Sequence, residues 1–364
     1  MSSLAGGSDP RLRFSVVVPA HRAAVVLPET LGALVASDLP REEWELVVVD
    51  DGSDDQTRDV AARFADRVVA LPGPPGGPGK ARNAGARVAR GDWLVFMDAD
   101  VRVHPDTLRR FAESIGAAPD VIAVFGSYDA QPAAKGLITE YRNLVHRYVH
   151  LRGAGPASTF WAGCGAVRRD WFERVGGFDA ERYPRPQIED IELGQRLREQ
   201  GGRILLDPTI QGTHLKRWTM RGVLATDILD RGIPWVRLML ERRARLDRSL
   251  NIGSAEPVKV ALTGVALGAA GLSLLLLDPR FLVVVLVAAI VLVLWNLDLY
   301  RWFARQRGVG FALGTIPLQL AYYACNVVSA GLGVALHVGR RIREWLRGRR
   351  YHSKAAPSER PGSR

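Results

Sequence analysis

The sequence predicts an α/β fold, a mostly parallel sheet followed by C-terminal transmembrane helices. Three observations carry this. Short β-branched runs alternate with helical stretches of about ten residues before residue 216, the rhythm of a parallel sheet. Acidic clusters stand just past two of those runs. Apolar residues, 47% of the chain, concentrate beyond residue 257 in runs nearly free of charge.

With 364 residues the chain can bury one large core or two ordinary ones. Residues 1–12 are small and polar and read as a disordered start without a signal peptide. Phe14-Ser15-Val16-Val17-Val18 predicts a buried strand ending at Pro19, with His21 in the loop beyond. Glu29–Ser37 has helical character. Glu45–Val49 predicts a second strand that runs into Asp50-Asp51-Gly52-Ser53. Asp54–Ala65 reads as a helix, Arg67–Leu71 as a short strand and Lys80–Ala89 as a helix. Trp93–Met97 is a strand that delivers Asp98-Ala99-Asp100. In open α/β sheets ligands bind outside the carboxyl ends of the strands, and both acidic clusters fall at such ends.

Neighbouring carboxylates need a cation or hydrogen-bond donors to offset them. Asp98 and Asp100, two apart, share one face of extended backbone, and a hard cation bridging carboxylate and phosphate would compensate them. The plainer alternative is turn chemistry. Pro72–Lys80 invites comparison with a phosphate loop, but Pro74 stands where glycine is required and Ala81 replaces Ser/Thr. It reads as an irregular turn before a helix whose Arg82 and Asn83 could reach a diphosphate. Further on, Gln187-Ile188-Glu189-Asp190-Ile191-Glu192 enters a helix over Ile191–Glu199. These acids either cap the helix or hold a general base in a cleft. A strand over Arg203–Leu206 leads to His214-Leu215-Lys216-Arg217-Trp218, where His214 is structural or a ligand.

The net charge of +11 is unevenly placed. Residues 1–215 carry 26 basic and 29 acidic side chains, while residues 216–248 are net +5 and the tail 339–364 is net +7. A slightly acidic N-terminal portion excludes a nucleic-acid-binding domain. The 2 cysteines, Cys164 and Cys325, cannot form a disulfide framework, and a reducing compartment follows. Residues 258–277 and 281–298 approach the ~20 apolar residues of a transmembrane helix. A third stretch, 309–338, is broken by Gly314 and Pro317; it is an interfacial helix with a span over 312–338, or a re-entrant element. Trp295, Tyr300 and Trp302 suit an interfacial aromatic belt, and Arg301, Arg305 and Arg307 put the N-terminal portion in the cytosol. The basic tail favours the same side, which a third full crossing would contradict. Residues 219–257, with Asp227, Arg231, Pro234 and Trp235, read as an amphipathic membrane-proximal segment, either a collar on anionic lipids or an entry for a lipid head group.

The ordered set VVVPAHR, VVVDDGSDD, GKARNAGA, MDAD, VGGFD, QIED and HLKRW resembles the family 2 glycosyltransferases, of inverting GT-A fold, over residues 14 to about 220. The resemblance implies a GT-A domain over 13–218, a membrane-anchored bacterial transferase in the plasma membrane, a nucleotide-sugar donor (a UDP-sugar by family weighting) and a lipid or glycan acceptor. Bacterial origin also suits the basic residues, of which only 5 of 49 are lysine. The resemblance implies that Pro19, His21, Asp50, Asp51, Arg82 and Asp98 bind the nucleotide sugar, and that Asp100 binds Mg²⁺ or Mn²⁺. It implies Asp190 as the catalytic base and Gly163, Cys164, Gly165, Arg168 and Glu189 on the acceptor side. His214-x-x-Arg217-Trp218 looks like the Gln-x-x-Arg-Trp signature of processive synthases with His for Gln. That departure puts processivity in doubt and lets His214 be a second metal ligand, with Arg217 and Trp218 at the donor. Two alternatives stay open: a processive polysaccharide synthase and a non-catalytic membrane scaffold.

Overall fold

The fold is given by a computed structural model that describes residues 12–242 and 255–354, with side chains to Glu344. The expected disordered start falls almost entirely outside the described residues, as do 243–254 of the membrane-proximal segment and the last ten residues of the basic tail.

The chain opens with β1 (Phe14–Ala20), α1 (Leu27–Val35), β2 (Trp44–Asp50), α2 (Thr57–Ala61), β3 (Arg67–Ala70), α3 (Pro78–Val88) and β4 (Trp93–Met97). Next come β5 (Val101–Val103), α4 (Thr107–Ala117), β6 (Val121–Tyr128), α5 (Leu137–Arg152), β7 (Gly155–Ala157) and β8 (Cys164–Arg168). α6 (Arg169–Arg174), α7 (Glu189–Glu199) and β9 (Arg203–His214) complete the α/β portion. β1, β2 and β4 are continuous apolar runs because both sheet faces are covered. Val16, Val18, Leu46, Val48 and Val95 pack into one core beneath α1 and α4. Val17, Val47, Val49, Leu94 and Phe96 pack into the other with Ala81, Ala84 and Leu193 of α3 and α7. The alternation of strand side chains thus assigns each residue to one core or the other.

The strand order is β3-β2-β1-β4-β8-β6-β9-β5, with β7 also on β9. The first four are mutually parallel, while β8 runs antiparallel to both β4 and β6. The chain moves outward from β1 to β2 and then returns to place β4 on the other side, so the crevice between them is a topological switch point. The expected helix over Asp54–Ala65 shrinks to α2. The Asp55 carboxylate takes the Thr57 N–H in a local turn before it, and the chain tightens into i→i+3 bonds at Arg63 and Phe64 after it. The strand expected to end at Leu206 continues to His214, since β9 pairs with β6 and then with β5.

Beyond the sheet, α8 (Met220–Ala225) and α9 (Ile233–Glu241) flank a π-helical turn, Thr226–Gly232. α10 (Glu256–Leu276) and α11 (Phe281–Trp295) form a hairpin, followed by α12 (Leu297–Arg307) and α13 (Val309–Lys354). Two helices, α10 and the Val309–Glu344 part of α13, are long and apolar enough to cross a membrane. α11 qualifies only together with α12, across a 60° bend. The third stretch is not broken at Gly314 or Pro317: α13 carries Pro317 near its start and continues as one helix. Leu274 and Leu277 are 78% and 84% exposed, so these helices present apolar side chains outward. Tyr300 and Trp302 do not form a belt with Trp295. Tyr300 is buried and Trp302 packs on Tyr148, because α12 docks its apolar face on α5. Arg307 secures that docking on Glu140 and the Ala130 carbonyl.

Candidate functional site

Four strand ends converge at the switch point. After β1, His21 donates through Nδ1 to the Asp51 carbonyl at 2.9 Å. After β2, the buried Asp50 carboxylate accepts the Ser53 N–H and faces Arg58 at 3.3 Å, which braces that loop. The Asp51 carboxylate accepts the N–H groups of Gly76 and Gly77, at 3.0 and 2.7 Å. The Gly/Pro-rich stretch therefore wraps a carboxylate, and Gly77 can do so because its φ of +86° suits a residue without Cβ.

After β4 the acids are tied across the chain by one arginine. Arg82, buried on α3, donates to Asp98 at 2.6 Å and to Glu189 at 2.9 Å. Glu189 also accepts the Gln187 N–H, so the start of α7 is fixed. Asp190, next along, accepts the Ala162 N–H at 3.2 Å. Its carboxyl is pushed up to about 7, first by burial and then by the Glu189 charge, against Arg82. Asp98 is also raised by burial, opposed by Arg82 and reinforced by Asp100.

At the end of β9 the His214 Nε2 lies 3.5 Å from an Asp100 carboxylate oxygen. Burial pushes Asp100 up, but His214 and Lys216 outweigh it, and its carboxyl ends below the ordinary value. The Tyr128 ring lies flat on His214, 4.3 Å between centroids and 13° between planes. Trp161 and His146 stand edge-on or tilted against Tyr128. Trp218 is held by its backbone to Thr139, with Lys216 Nζ 4.2 Å from its ring centroid. Arg217 beside it is exposed.

The model of the family described as Glycosyl transferase family 2 matches residues 15–176. The chain carries a glycosyl transferase family 2 domain. Among curated relatives, the Poly(ribitol-phosphate) beta-N-acetylglucosaminyltransferase TarS of Staphylococcus aureus is 36% identical over 108 residues, 29% of this chain and 19% of that one. Validoxylamine A glucosyltransferase of Streptomyces hygroscopicus subsp. jinggangensis is 33% identical over 218 residues, covering 51% of each chain. The matches thus span about half or less of those relatives' lengths. Among solved structures, a mannosyltransferase from Pyrobaculum calidifontis in complex with GDP-Man and Mn²⁺ superposes with a TM-score of 0.54 at 20% identity. That match covers 92% of this chain and 90% of that one, and it shows the shared fold.

Within the α/β portion the predicted residues divide. Pro19, His21, Asp50, Asp51, Arg82, Asp98, Asp100, Glu189, Asp190 and His214 gather at one end of the sheet. Arg168 does not join them. β8 runs antiparallel to β4, so Cys164 pairs with Met97 beside the acids while Arg168 pairs with Trp93 at the opposite end and binds Asp170. Cys164 and Gly165 are buried within the sheet, and burial drives the Cys164 thiol far up, so they support rather than line the cleft. Gly163 reaches the site through its carbonyl, which accepts the Asp98 N–H at 3.1 Å. Arg82 spends its guanidinium on Asp98 and Glu189 rather than standing free for a diphosphate, and Asn83 clasps the Phe178 backbone. Among the described residues no three His, Cys, Asp or Glu converge as a metal cage. Asp100 with His214 offers an oxygen and a nitrogen on one side, which fits a hard or borderline cation whose other ligands come from phosphate oxygens. Tyr128 and Trp161 also belong to the site, Tyr128 stacked on His214 and Trp161 edge-on to Tyr128. Tyr128 ends an eight-residue buried run, Val121–Tyr128, which is legible as a strand.

Proposed function

We propose that the chain is a membrane-associated inverting glycosyltransferase that moves a sugar from a nucleotide-sugar donor, a UDP-sugar, to a lipid or membrane-bound glycan acceptor. The observation that supports this reading is the ion network Asp98–Arg82–Glu189, which ties the end of β4 to the start of α7, where Asp190 next to Glu189 carries a raised carboxyl. Asp190, poised near neutrality, accepts the acceptor hydroxyl proton as that oxygen attacks the anomeric carbon. The bond from that carbon to the diphosphate breaks on the opposite face, and the nucleotide diphosphate leaves with the electron pair. One attack from one face inverts the centre. A divalent cation, Mg²⁺ or Mn²⁺, held by Asp100 and His214 would neutralise charge developing on the leaving diphosphate.

Pro19, His21, Asp50 and Asp51 form the nucleotide side, Asp98 meets the sugar and ribose, and Arg217 and Trp218 close over the donor. Arg82 acts as a positioning residue for Asp98 and Glu189. Residues 13–218 form the transferase portion and 219–257 the membrane-proximal portion, with the membrane region over 258–338 and the basic tail beyond. Arg307 on α12, bound to Glu140 of α5, supports a cytosolic transferase portion by the positive-inside rule.

The test uses the full chain in detergent micelles with a panel of nucleotide sugars and Mn²⁺. UDP-sugars are expected to raise the melting temperature and chelation to remove the gain. Product from the stabilising donor is expected, by NMR, to carry the opposite anomeric configuration. Retention, or stabilisation by none of the donors, would overturn the proposal.

A further inference from the structure

The cation site proposed at Asp100 and His214, on which this inference rests, needs the His214 ring to be aimed. The His214 backbone is fixed from both sides. It pairs with Val101 between β9 and β5, and its carbonyl accepts the Ala133 N–H at 3.1 Å. The next N–H, of Leu215, donates to the Asp100 carbonyl at 2.8 Å. These bonds place the Cβ of His214 but not the plane of its ring. The torsion joining an imidazole to its Cβ is broad and roughly two-fold, so the backbone alone does not choose which ring atoms face Asp100. The Nε2 contact to Asp100, at 3.5 Å, is longer than an ordinary hydrogen bond and restrains the ring weakly.

Tyr128 supplies the missing restraint. In β6 it pairs with Gly212 of β9, and His214, two residues on, shares the Gly212 face. The two side chains therefore lie on one side of the sheet. The phenol ring lies flat on the imidazole, 4.3 Å between centroids and 13° between planes. Turning the imidazole out of that plane would drive its edge into the phenol. Tyr128 is itself held. From α5, His150 donates to the Gly126 carbonyl at 2.9 Å, and Arg147 and Asn143 donate to the Tyr128 and Asp129 carbonyls, both at 2.8 Å. The same helix sets His146 against the phenol ring, 4.5 Å between centroids, and Trp161 meets it edge-on at 4.9 Å. Trp161 fits there because residue 163 is glycine: a Cβ on Gly163 would come within 2.5 Å of its ring. The imidazole thus rests on a buried ring that two further rings support.

We infer that Tyr128 is a positioning residue for His214: its ring fixes the imidazole plane that turns Nε2 toward Asp100, and so sets how tightly that pair holds a divalent cation. The test is Mn²⁺ binding to the full chain in dodecyl maltoside micelles with UDP present, free Mn²⁺ being read by electron paramagnetic resonance. Tyr128→Leu, which removes the flat face, is expected to weaken Mn²⁺ binding about ten-fold, the lower end of the loss when a group that orients a metal ligand is removed, and Tyr128→Phe, which keeps the ring, by less than about two-fold. Tyr128→Met, also without a ring, should match Tyr128→Leu and takes its place where that variant does not fold. A role confined to filling the core is separated by a double variant. In a His214→Ala background Tyr128→Leu should cost no further Mn²⁺ affinity, because the two residues act as one unit. Unchanged affinity in the ringless variants, a loss in Tyr128→Phe as large as in Tyr128→Leu, or an equal loss with and without His214 would overturn the inference. If the parent binds no Mn²⁺ with UDP, or His214→Ala binds it as tightly as the parent, the cation site at Asp100 and His214 falls and the role of Tyr128 with it. If His214→Ala weakens binding and Tyr128→Leu does not, the cation site stands and the role of Tyr128 alone falls.

Discussion

Near the carboxyl ends of β4 and β9, Asp98 lies in the fields of Asp100 and Glu189, and Asp190 in that of Glu189, with Arg82 and His214 as countercharges. Where α10, α11 and α13 meet, a second group of polar side chains is buried. Lys259 donates to Glu256 at 2.7 Å and to Asn296 at 3.1 Å, Tyr323 donates to the same Asn296 oxygen, and Asn296 donates to the Leu292 carbonyl. The helical group closes on itself. The sheet-end group does not: Asp190 keeps a strongly displaced carboxyl, and Arg82 Nε is buried without a hydrogen-bond partner. Satisfied buried polar groups hold a structure in one arrangement, while unbalanced ones mark where a ligand completes the set.

The widest gap between the two regions should open at Asp190. Asp190→Asn is expected to lower transfer by about 10² to 10⁴-fold, the range for loss of a general base, with UDP affinity kept. It should also stabilise the protein. The folded carboxyl titrates near 7, well above an unfolded carboxylate, so the native state keeps a proton that the unfolded chain has already lost. The stability this group contributes is present at low pH and lost as pH rises through 7. Melting curves of the variant and the parent should therefore separate as pH rises from about 4 to 7 and run parallel above 7, with the variant higher. Transfer by the parent should rise through about pH 7 and level off; a fall over that interval would end the assignment.

Arg82→Met attacks the same region through its countercharge. It leaves the buried Glu189 and the Asp98 carboxylate without their shared donor, a change worth about 3–5 kcal/mol when a buried pair is broken. Urea denaturation should show it as a large drop in midpoint. A loss near that of a surface ion pair would mean that Glu189 and Asp98 are held by other groups.

The uneven legibility of the chain follows the same line. Strands β1, β2 and β4 are legible because burial on both faces leaves unbroken Val and Leu, and the acids after them follow at once. Asp98, Asp100, Asp190 and His214 stand out as residue types in a pattern. What stays hidden is partnership. Arg82 looks free for a diphosphate until the fold brings Glu189 to it from 107 positions away. Arg168 looks close to Gly163-Cys164-Gly165 because strand direction is not written in composition, and an antiparallel β8 carries it away. Tyr128 and Trp161 meet the site through neighbours from other elements, which no local spacing shows.

A smaller effect is expected in the helical group. Lys259→Met removes one donor from Asn296, which keeps the Tyr323 hydroxyl, and frees Glu256, whose side chain is 30% exposed and can be hydrated. The cost should be on the order of 1 kcal/mol, the net worth of an ordinary hydrogen bond. Thermal unfolding followed by size-exclusion chromatography in detergent measures it. A loss of several kcal/mol would show that the helical group depends on its charge as the cleft does.

The smallest effect belongs to Arg168, and it tests the geometry that separates the two ends of the sheet. Four positions of extended strand lie between Cys164 and Arg168, roughly 13 Å at 3.3 Å per residue. Arg168 spends its charge on Asp170, two residues along, and both side chains are substantially exposed, 39% and 51%. Exposed pairs of this kind contribute about 0–1 kcal/mol, because water screens the charges and the side chains lose freedom in pairing. Arg168→Ala should therefore leave transfer rate, acceptor dependence and UDP affinity within two-fold and shift the unfolding midpoint barely at all. A ten-fold loss of transfer with UDP affinity intact would place Arg168 at the acceptor after all. It would also require β8 to run the other way, since no side-chain rotation spans that distance.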